Sequence, residues 1–325
     1  MRTCVICPRM GLGDLISFIA HFKVISEKTG QKLVIITKES TSGKEYLKNE
    51  PYCEDVIYLP ERRRGLINTY SNIKDFFSLV ELIKKIKSDS VFVLHSSKRY
   101  VVASRIAGIK KIYAPGLGIQ NIFLNKENSY YDGPFEKKNH PRLESENLIK
   151  KIYNLENFPE NSLINFKKND APSHVLISIA CSGDSKQWGY ENHKKIIEHL
   201  IDKKFKQFVL LAGKRQSELE SLLVKSFKDK EIILETTSQL KLKDVFNKIR
   251  NGLFYFGHDT GFMHLSASLD IPVLAVYGDI PPYNYSKYMK SIVPNDNKFT
   301  KTSIKNILFE EAKVKLDEFL NEYNL

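Results

Sequence analysis

Short apolar runs rich in Val, Ile and Leu alternate with amphipathic stretches of helical length from one end of the chain to the other. A strand that is apolar throughout, rather than at every second position, must be covered on both faces. The stretches between runs are long enough to be crossover helices. The pattern predicts parallel sheets flanked by helices, an α/β fold of the doubly wound, Rossmann-like kind. In the first half the expected strands are Thr3–Pro8, Lys32–Thr37, Asp55–Leu59, Ser90–His95 and Lys111–Tyr113. Ile73, Phe76, Phe77, Val80, Ile83 and Ile86 recur at three- and four-residue steps, which predicts a helix over Ile73–Lys87. Asp14–Glu27 reads as another.

Residues 125–140 break this rhythm with Asn, Lys, Gly and Pro and read as a loop. A helix over Arg142–Tyr153 follows, then a polar stretch, Leu155–Pro172, that reads as a linker. Beyond it the alternation restarts, with strands at His174–Ala180, Gln207–Ala212, Glu231–Leu234, Gly252–Gly257 and Pro272–Tyr277. Helices are expected between them, at Glu191–Lys203, Gln216–Phe227, Leu242–Arg250 and Gly261–Leu269. A chain of 325 residues is long for one core and suits two domains, 1–160 and 173–325. The closing amphipathic helix, Phe309–Tyr323, is free to pack back on the first domain. Ligands are expected in a cleft between the strand C-termini of the two domains.

The composition, 42% apolar and 27% charged, is that of a globular protein. No run approaches the roughly 18 consecutive apolar residues of a membrane span. The segment Met1–Pro8 has neither the apolar length nor the cleavage site of a signal peptide, so a cytoplasmic protein is expected. Four cysteines do not make a disulfide framework. Cys4 and Cys7 have the spacing of half a zinc site, but no second pair follows at usable spacing. In a strand they would point to opposite faces, and they read as buried thiols. The formal charge of +12 suits phosphates, nucleic acid or an acidic membrane face. It is equally the mark of a scattered Lys-rich surface. Arg62-Arg63-Arg64, in a loop after a strand, either holds an anionic acceptor or is simply solvated.

The first strand runs into Arg9-Met10-Gly11-Leu12-Gly13-Asp14-Leu15-Ile16. Gly11 and Gly13 suit a sharp turn and a close approach to a ligand. Ile16 breaks the dinucleotide fingerprint that the first glycines suggest, although Glu39 stands near the end of the second strand. Asp14 has two readings: it caps its helix, or it faces a ligand as a carboxylate able to take a proton from a hydroxyl.

The first strand of the second half ends in Cys181-Ser182-Gly183-Asp184-Ser185-Lys186-Gln187-Trp188. Small residues followed by Lys resemble a phosphate cradle, with Ser182 and Ser185 offering hydroxyls and Lys186 a charge. The Gly-Lys-Ser/Thr of a Walker A loop is missing, and Trp188, the one tryptophan, reads as a packing residue. Further on, the apolar strand Phe254-Tyr255-Phe256 stops at Gly257-His258-Asp259-Thr260-Gly261, and a small-residue helix begins. The helix N-terminus would offer unpaired amides and the positive end of a dipole to a diphosphate. Thr260 and Gly261 are suited to touch it, and His264, one turn on, could face the same ligand. A capped helix with a core-facing histidine is the alternative. No Asp-x-Asp ends an expected strand, so neither a catalytic metal nor a cofactor is expected.

These loops, in this order, resemble glycosyltransferase family nine, the ADP-heptose:lipopolysaccharide heptosyltransferases. The likeness is carried by Met10–Leu15, by Lys186-Gln187-Trp188, and by Asp259-Thr260-Gly261-Phe262-Met263-His264-Leu265 with Ile271-Pro272-Val273 after it. It implies a GT-B fold and an inverting, metal-independent transfer with Asp14 as general base. It implies a nucleotide-diphosphate sugar, held by Ser182, Lys186, Asp259, Thr260, Gly261 and His264, with Glu218 on the ribose. The acceptor would be an anionic glycolipid or glycan met near Gly11 and Gly13, with peripheral contact at the inner membrane face and no nucleic acid as partner. The chain departs from the family where Gly278-Asp279-Ile280-Pro281-Pro282 replaces the usual Gly-Pro-Thr-x-Pro, and where Cys181 replaces a hydroxyl. A nucleotide-sugar epimerase or hydrolase of the same fold would consume donor without acceptor. A basic nucleic-acid-binding protein would bind DNA in a strongly salt-dependent way.

Overall fold

The computed structural model describes residues 1–59, 69–130, 140–159, 171–183, 186–282 and 285–325. Arg62, Arg63, Arg64 and Ser185 lie outside them, as does most of the loop expected over residues 125–140. The chain divides into two compact units, Met1–Asn165 and Phe166–Leu325. No helix among the described residues is long and apolar enough to cross a membrane.

The first unit is built on β1 (Thr3–Ile6), β2 (Leu33–Thr37), β3 (Cys53–Tyr58), β4 (Ser90–Val93) and β5 (Lys111–Tyr113). They form one parallel sheet in the order β3-β2-β1-β4-β5. Its helices are α1 (Leu12–Ile16), α2 (Ile19–Thr29), α3 (Gly43–Leu47), α4 (Thr69–Ile86), α5 (Lys98–Ile106) and α6 (Pro141–Tyr153). Every residue of β1 and β2 is buried, as continuous apolar strands require when both faces are covered. The expected helix from Asp14 is two helices, because Ser17 and Phe18 leave the first and start the second. Ile73 and Phe77 were expected on the buried stripe of α4, yet they are half exposed, while Val80, Ile83 and Ile86 are buried. Cys4 and Cys7 are fully buried, and burial pushes their thiols up to about 12 and about 11.

The second unit holds β6 (His174–Ser178), β7 (Gln207–Leu211), β8 (Ile233–Thr236), β9 (Gly252–His258), β10 (Val273–Val276) and β11 (Met289–Ile292). They form a second parallel sheet, ordered β11-β10-β9-β6-β7-β8. Strand β11 was not foreseen, because its sequence, Met-Lys-Ser-Ile, carries only two apolar residues and pairs at an edge. The helices are α7 (Tyr190–Asp202), α8 (Ser217–Ser226), α9 (Leu242–Ile249), α10 (Gly261–Ser268) and α11 (Phe309–Glu322). Ala312, Leu316, Phe319 and Leu320 of the closing helix α11 lie in the second unit's own core.

Both sheets grow outward from their first strand in one direction and then in the other. The order reverses between β1 and β4 in the first unit, and between β6 and β9 in the second. At such a switch the loops leaving the two strands turn to opposite faces and open a crevice at the strand C-termini, where ligands bind.

Candidate functional site

At the switch of the second unit, the loop after β6 and the turn after β9 are joined by one buried side chain. His258, the last residue of β9, accepts from the Trp188 N–H at Nε2 (3.1 Å) and donates from Nδ1 to the Ala180 carbonyl (3.0 Å). The two bonds fix the Nδ1–H tautomer of a neutral ring. Burial first, and His193 at 5.0 Å second, lower its pKa to about 3. The His193 ring, itself lowered to about 4 by burial, donates to the Gly189 carbonyl at 2.7 Å. Motif reading passed over His258, since a histidine beside Asp-Thr-Gly gives no sign of which loop it will meet.

These two rings make an acid-sensitive brace. Both have native pKa values below the unfolded value, so as pH falls below about 6.5 the unfolded chain takes up protons that the native site refuses. Their contribution is intact above that pH and is lost between about 6.5 and the native values near 4 and 3. Urea titrations at pH 7 and pH 5 should show the second unit weakened by about 1–2 kcal/mol per histidine. An unchanged midpoint would remove the brace from consideration.

The turn itself is held from below. The fully buried Tyr255 donates to the His258 carbonyl at 2.7 Å, and its hydroxyl lies 3.2 Å from Thr260 Oγ1. Thr260 is the extended N-cap residue of α10 (φ −145°, ψ 172°), and its hydroxyl makes no cap bond to the helix. The amides of the first turn of α10, from Gly261 on, are therefore not taken up by the cap side chain. His264 follows one turn later, half-buried, with Nε2 3.5 Å from Asp259 Oδ1 and Nδ1 2.7 Å from Tyr285 Oη. The rings of His264 and Tyr285 are parallel, with centroids 5.7 Å apart. The core-facing alternative for His264 fails: the ring stands between a carboxylate and a phenol at the strand ends.

Lys186 arrives from the β6 loop with its ammonium already paired to a carboxylate. Its Nζ lies 2.7 Å from Asp279 Oδ2, in the segment after β10, with a third of the lysine and a fifth of the aspartate side chain accessible. Thus Lys186, Asp279, Asp259, Thr260, Gly261 and His264 all stand at the C-terminal ends of the neighbouring strands β6, β9 and β10. Ser182 is exposed in the same β6 loop, and its carbonyl accepts from Arg215 at 3.2 Å, which ties in the loop after β7. Gln187 and Gln216 secure this loop by donating to the carbonyls of Ile179 (3.0 Å) and Cys181 (3.3 Å). Trp188 packs in the core, as expected, and donates to the Ile307 carbonyl at 2.8 Å. Glu218 is exposed in the first turn of α8. The buried acid of that helix is Glu220, which accepts from the amides of Thr237 (2.9 Å) and Ser238 (3.2 Å) and so serves the fold.

In the first unit, Asp14 is exposed on α1 and one of its oxygens accepts from the Gly11 N–H at 3.2 Å. The capping reading is therefore present in the structure, and the exposed carboxylate remains accessible to a ligand. The turn does not depend on glycine's left-handed freedom: Gly11 is extended at φ −138°, and Gly13 lies within the helix. At the β1/β4 switch is a small recess of about 60 Å³ whose walls include Arg9, His95, Ser96, Leu117, Glu144 and Ser145. Arg9 is nearly buried, donates to the Leu94 carbonyl at 2.7 Å and lies 4.2 Å over the Phe18 ring. No local motif marks Arg9, because only the strand order brings it to the residues that follow β4.

Residues 147–309, half of the chain, match the family described as glycosyltransferase family 9 (heptosyltransferase). Lipopolysaccharide heptosyltransferase 1 of Escherichia coli (strain K12) is 26% identical over 122 residues, covering 38% of this chain and 37% of that protein. That alignment spans little more than a third of the curated relative's length. Among solved structures, E. coli heptosyltransferase WaaC with ADP matches with a TM-score of 0.74 at 18% identity, over 98% of this chain and 100% of that one. The glycosyltransferase family 9 structure from Veillonella parvula DSM 2008 gives 0.73 at 16% identity, over 99% and 97%. At such identities the likeness is one of fold, and that fold is GT-B, as the motifs implied.

Proposed function

The chain belongs to glycosyltransferase family 9, the heptosyltransferases, and from that premise we propose that it moves a heptose from ADP-heptose to a hydroxyl of a lipopolysaccharide core or related surface glycan. The observation that carries the reading is that the loop of Lys186 and the turn of Thr260, with the N-terminus of α10, leave neighbouring strands at the switch of the second sheet. An ammonium and a helix N-terminus at neighbouring strand ends are chemistry for a diphosphate. The relative solved with ADP supports adenine as the base. Ser182, Asp259, Gly261 and His264 complete the donor's surroundings in this reading, and Glu218 holds the ribose.

The transfer is a single displacement. Asp14 takes the proton of the acceptor hydroxyl, whose oxygen attacks the anomeric carbon as the bond to the diphosphate oxygen breaks. Attack from the side opposite the leaving group inverts the anomeric centre. The departing diphosphate gathers charge, which Lys186 and the α10 amides stabilise without a metal. Arg9, in the wall of the first unit's recess, is the cation we assign to the acceptor's anionic group. That acceptor is an anionic glycolipid reached by peripheral contact with the inner membrane face.

Calorimetric titration with ADP-, UDP-, GDP- and CDP-sugars in EDTA should single out the ADP-sugar. Lys186→Ala should weaken it by about 10- to 100-fold, the scale of a lost charge-assisted hydrogen bond. Equal affinity in the Lys186→Ala protein would refute the phosphate role, and donor consumption without acceptor would mark a hydrolase or epimerase instead.

A further inference from the structure

The donor pocket, so assigned, has an electrostatic feature its motifs do not explain. Lys186 is paired at 2.7 Å with Asp279, and a second carboxylate, Asp259, stands on the adjacent strand end beside His264. Asp279 occupies the segment where the sequence departs from the family's usual Gly-Pro-Thr-x-Pro. A diphosphate that engages Lys186 must take it from a carboxylate already in contact, and that carboxylate stays close by, since Gly278 is packed against the backbone of residue 304. A Cβ on Gly278 would lie 2.4 Å from Ile304 Cβ and 2.5 Å from its amide nitrogen, so the segment has little room to withdraw.

We propose that Asp279 sets the charge selectivity of this site, competing with phosphate for Lys186 so that the nucleotide sugar is held while the more highly charged free nucleoside diphosphate is expelled. The proposal rests on the donor reading given above. A nucleoside diphosphate sugar carries two phosphate charges. The product of transfer gains a terminal phosphate whose second ionisation lies near pH 6, so at neutral pH it carries close to three. The added charge appears where the sugar has left, and a fixed carboxylate acts on it by simple repulsion. Lys186 thus binds the donor, and Asp279 keeps the product from binding as well as its charge would otherwise allow. A carboxylate that served only to anchor the lysine would affect both ligands alike.

The test compares wild type, Asp279→Asn and Asp279→Ala by calorimetry with ADP, ADP-heptose and inorganic pyrophosphate. Asn keeps the side-chain shape and removes the charge, and Ala guards against a new contact made by the amide. Both variants are expected to tighten ADP by about three- to tenfold more than ADP-heptose, the scale of one partly exposed charge interaction. Product inhibition by ADP should strengthen by the same factor relative to the donor KM. Equal changes for the two ligands, or weaker ADP binding, would overturn the proposal. If wild type binds neither ADP nor ADP-heptose, the donor reading fails on its own. Pyrophosphate still reads Asp279 in that case: tightening in both variants upholds the competition, and no change ends it.

Discussion

Asp14→Asn is expected to lower turnover by about 10²–10⁴-fold, the usual worth of a general base, while leaving donor affinity unchanged within a factor of two or so. The structure makes this substitution unusually clean. One carboxylate oxygen of Asp14 accepts from the Gly11 N–H at 3.2 Å, and an amide oxygen can do the same. The cap survives in Asn, as does the side-chain volume, and only the ability to take up a proton is lost. Asp14→Ala would remove both functions and add a capping cost of about 0.5–2 kcal/mol. Turnover in Asn and Ala falling alike, with stability lower only in Ala, would separate base from cap. A fall in donor affinity that tracks the fall in turnover would make Asp14 a structural residue and return the mechanism to an unassigned base.

Gly257→Ala should unfold the donor site together with the sheet that carries it, at a cost of about 3–5 kcal/mol. Gly257 has φ +151°, a conformation that L side chains rarely adopt, and it pairs with Ser178 across β6 and β9. A Cβ there would stand 2.3 Å from the Ser178 carbonyl oxygen and 2.7 Å from Ser178 Cβ. Backbone cannot yield as the end of a flexible side chain can, so the two central strands must part at their C-terminal ends. From those ends depart the loop that carries Lys186 and the turn that carries Thr260, and His258, the next residue, bridges them. Denaturant unfolding should show the loss, and ADP binding should vanish in whatever native fraction remains. A loss below about 1 kcal/mol would mean that the strands relax in a way their packing does not suggest.

Much of this molecule is legible in its residues. Ten of the strands in the two sheets follow from apolar runs, and the helices α7 to α10 fall within a residue or two of their amphipathic patterns. The turn at Asp259-Thr260-Gly261 could be read as a helix N-terminus, and Trp188 as a packing residue, from their immediate neighbours. Such features answer to local rules: the period of a helix, the burial of a continuous strand, the chemistry of a cap. Misreadings came where local signals were weak or two-sided. Strand β11 has only two apolar residues, and the stretch from Asp14 looked continuous because Ser17 and Phe18 carry no helix-breaking signal.

The sequence by itself determined that this chain would wind two parallel sheets and which loops would leave the ends of their strands. It could not determine what those loops would meet. That Lys186 pairs with Asp279, that His258 clasps the loop before α7, and that Arg9 lines a recess with His95 follow from strand order. Burial patterns repeat within a few residues, so the chain carries them locally. Partnerships between long polar side chains depend on which strand ends lie side by side, and only the assembled sheet fixes that.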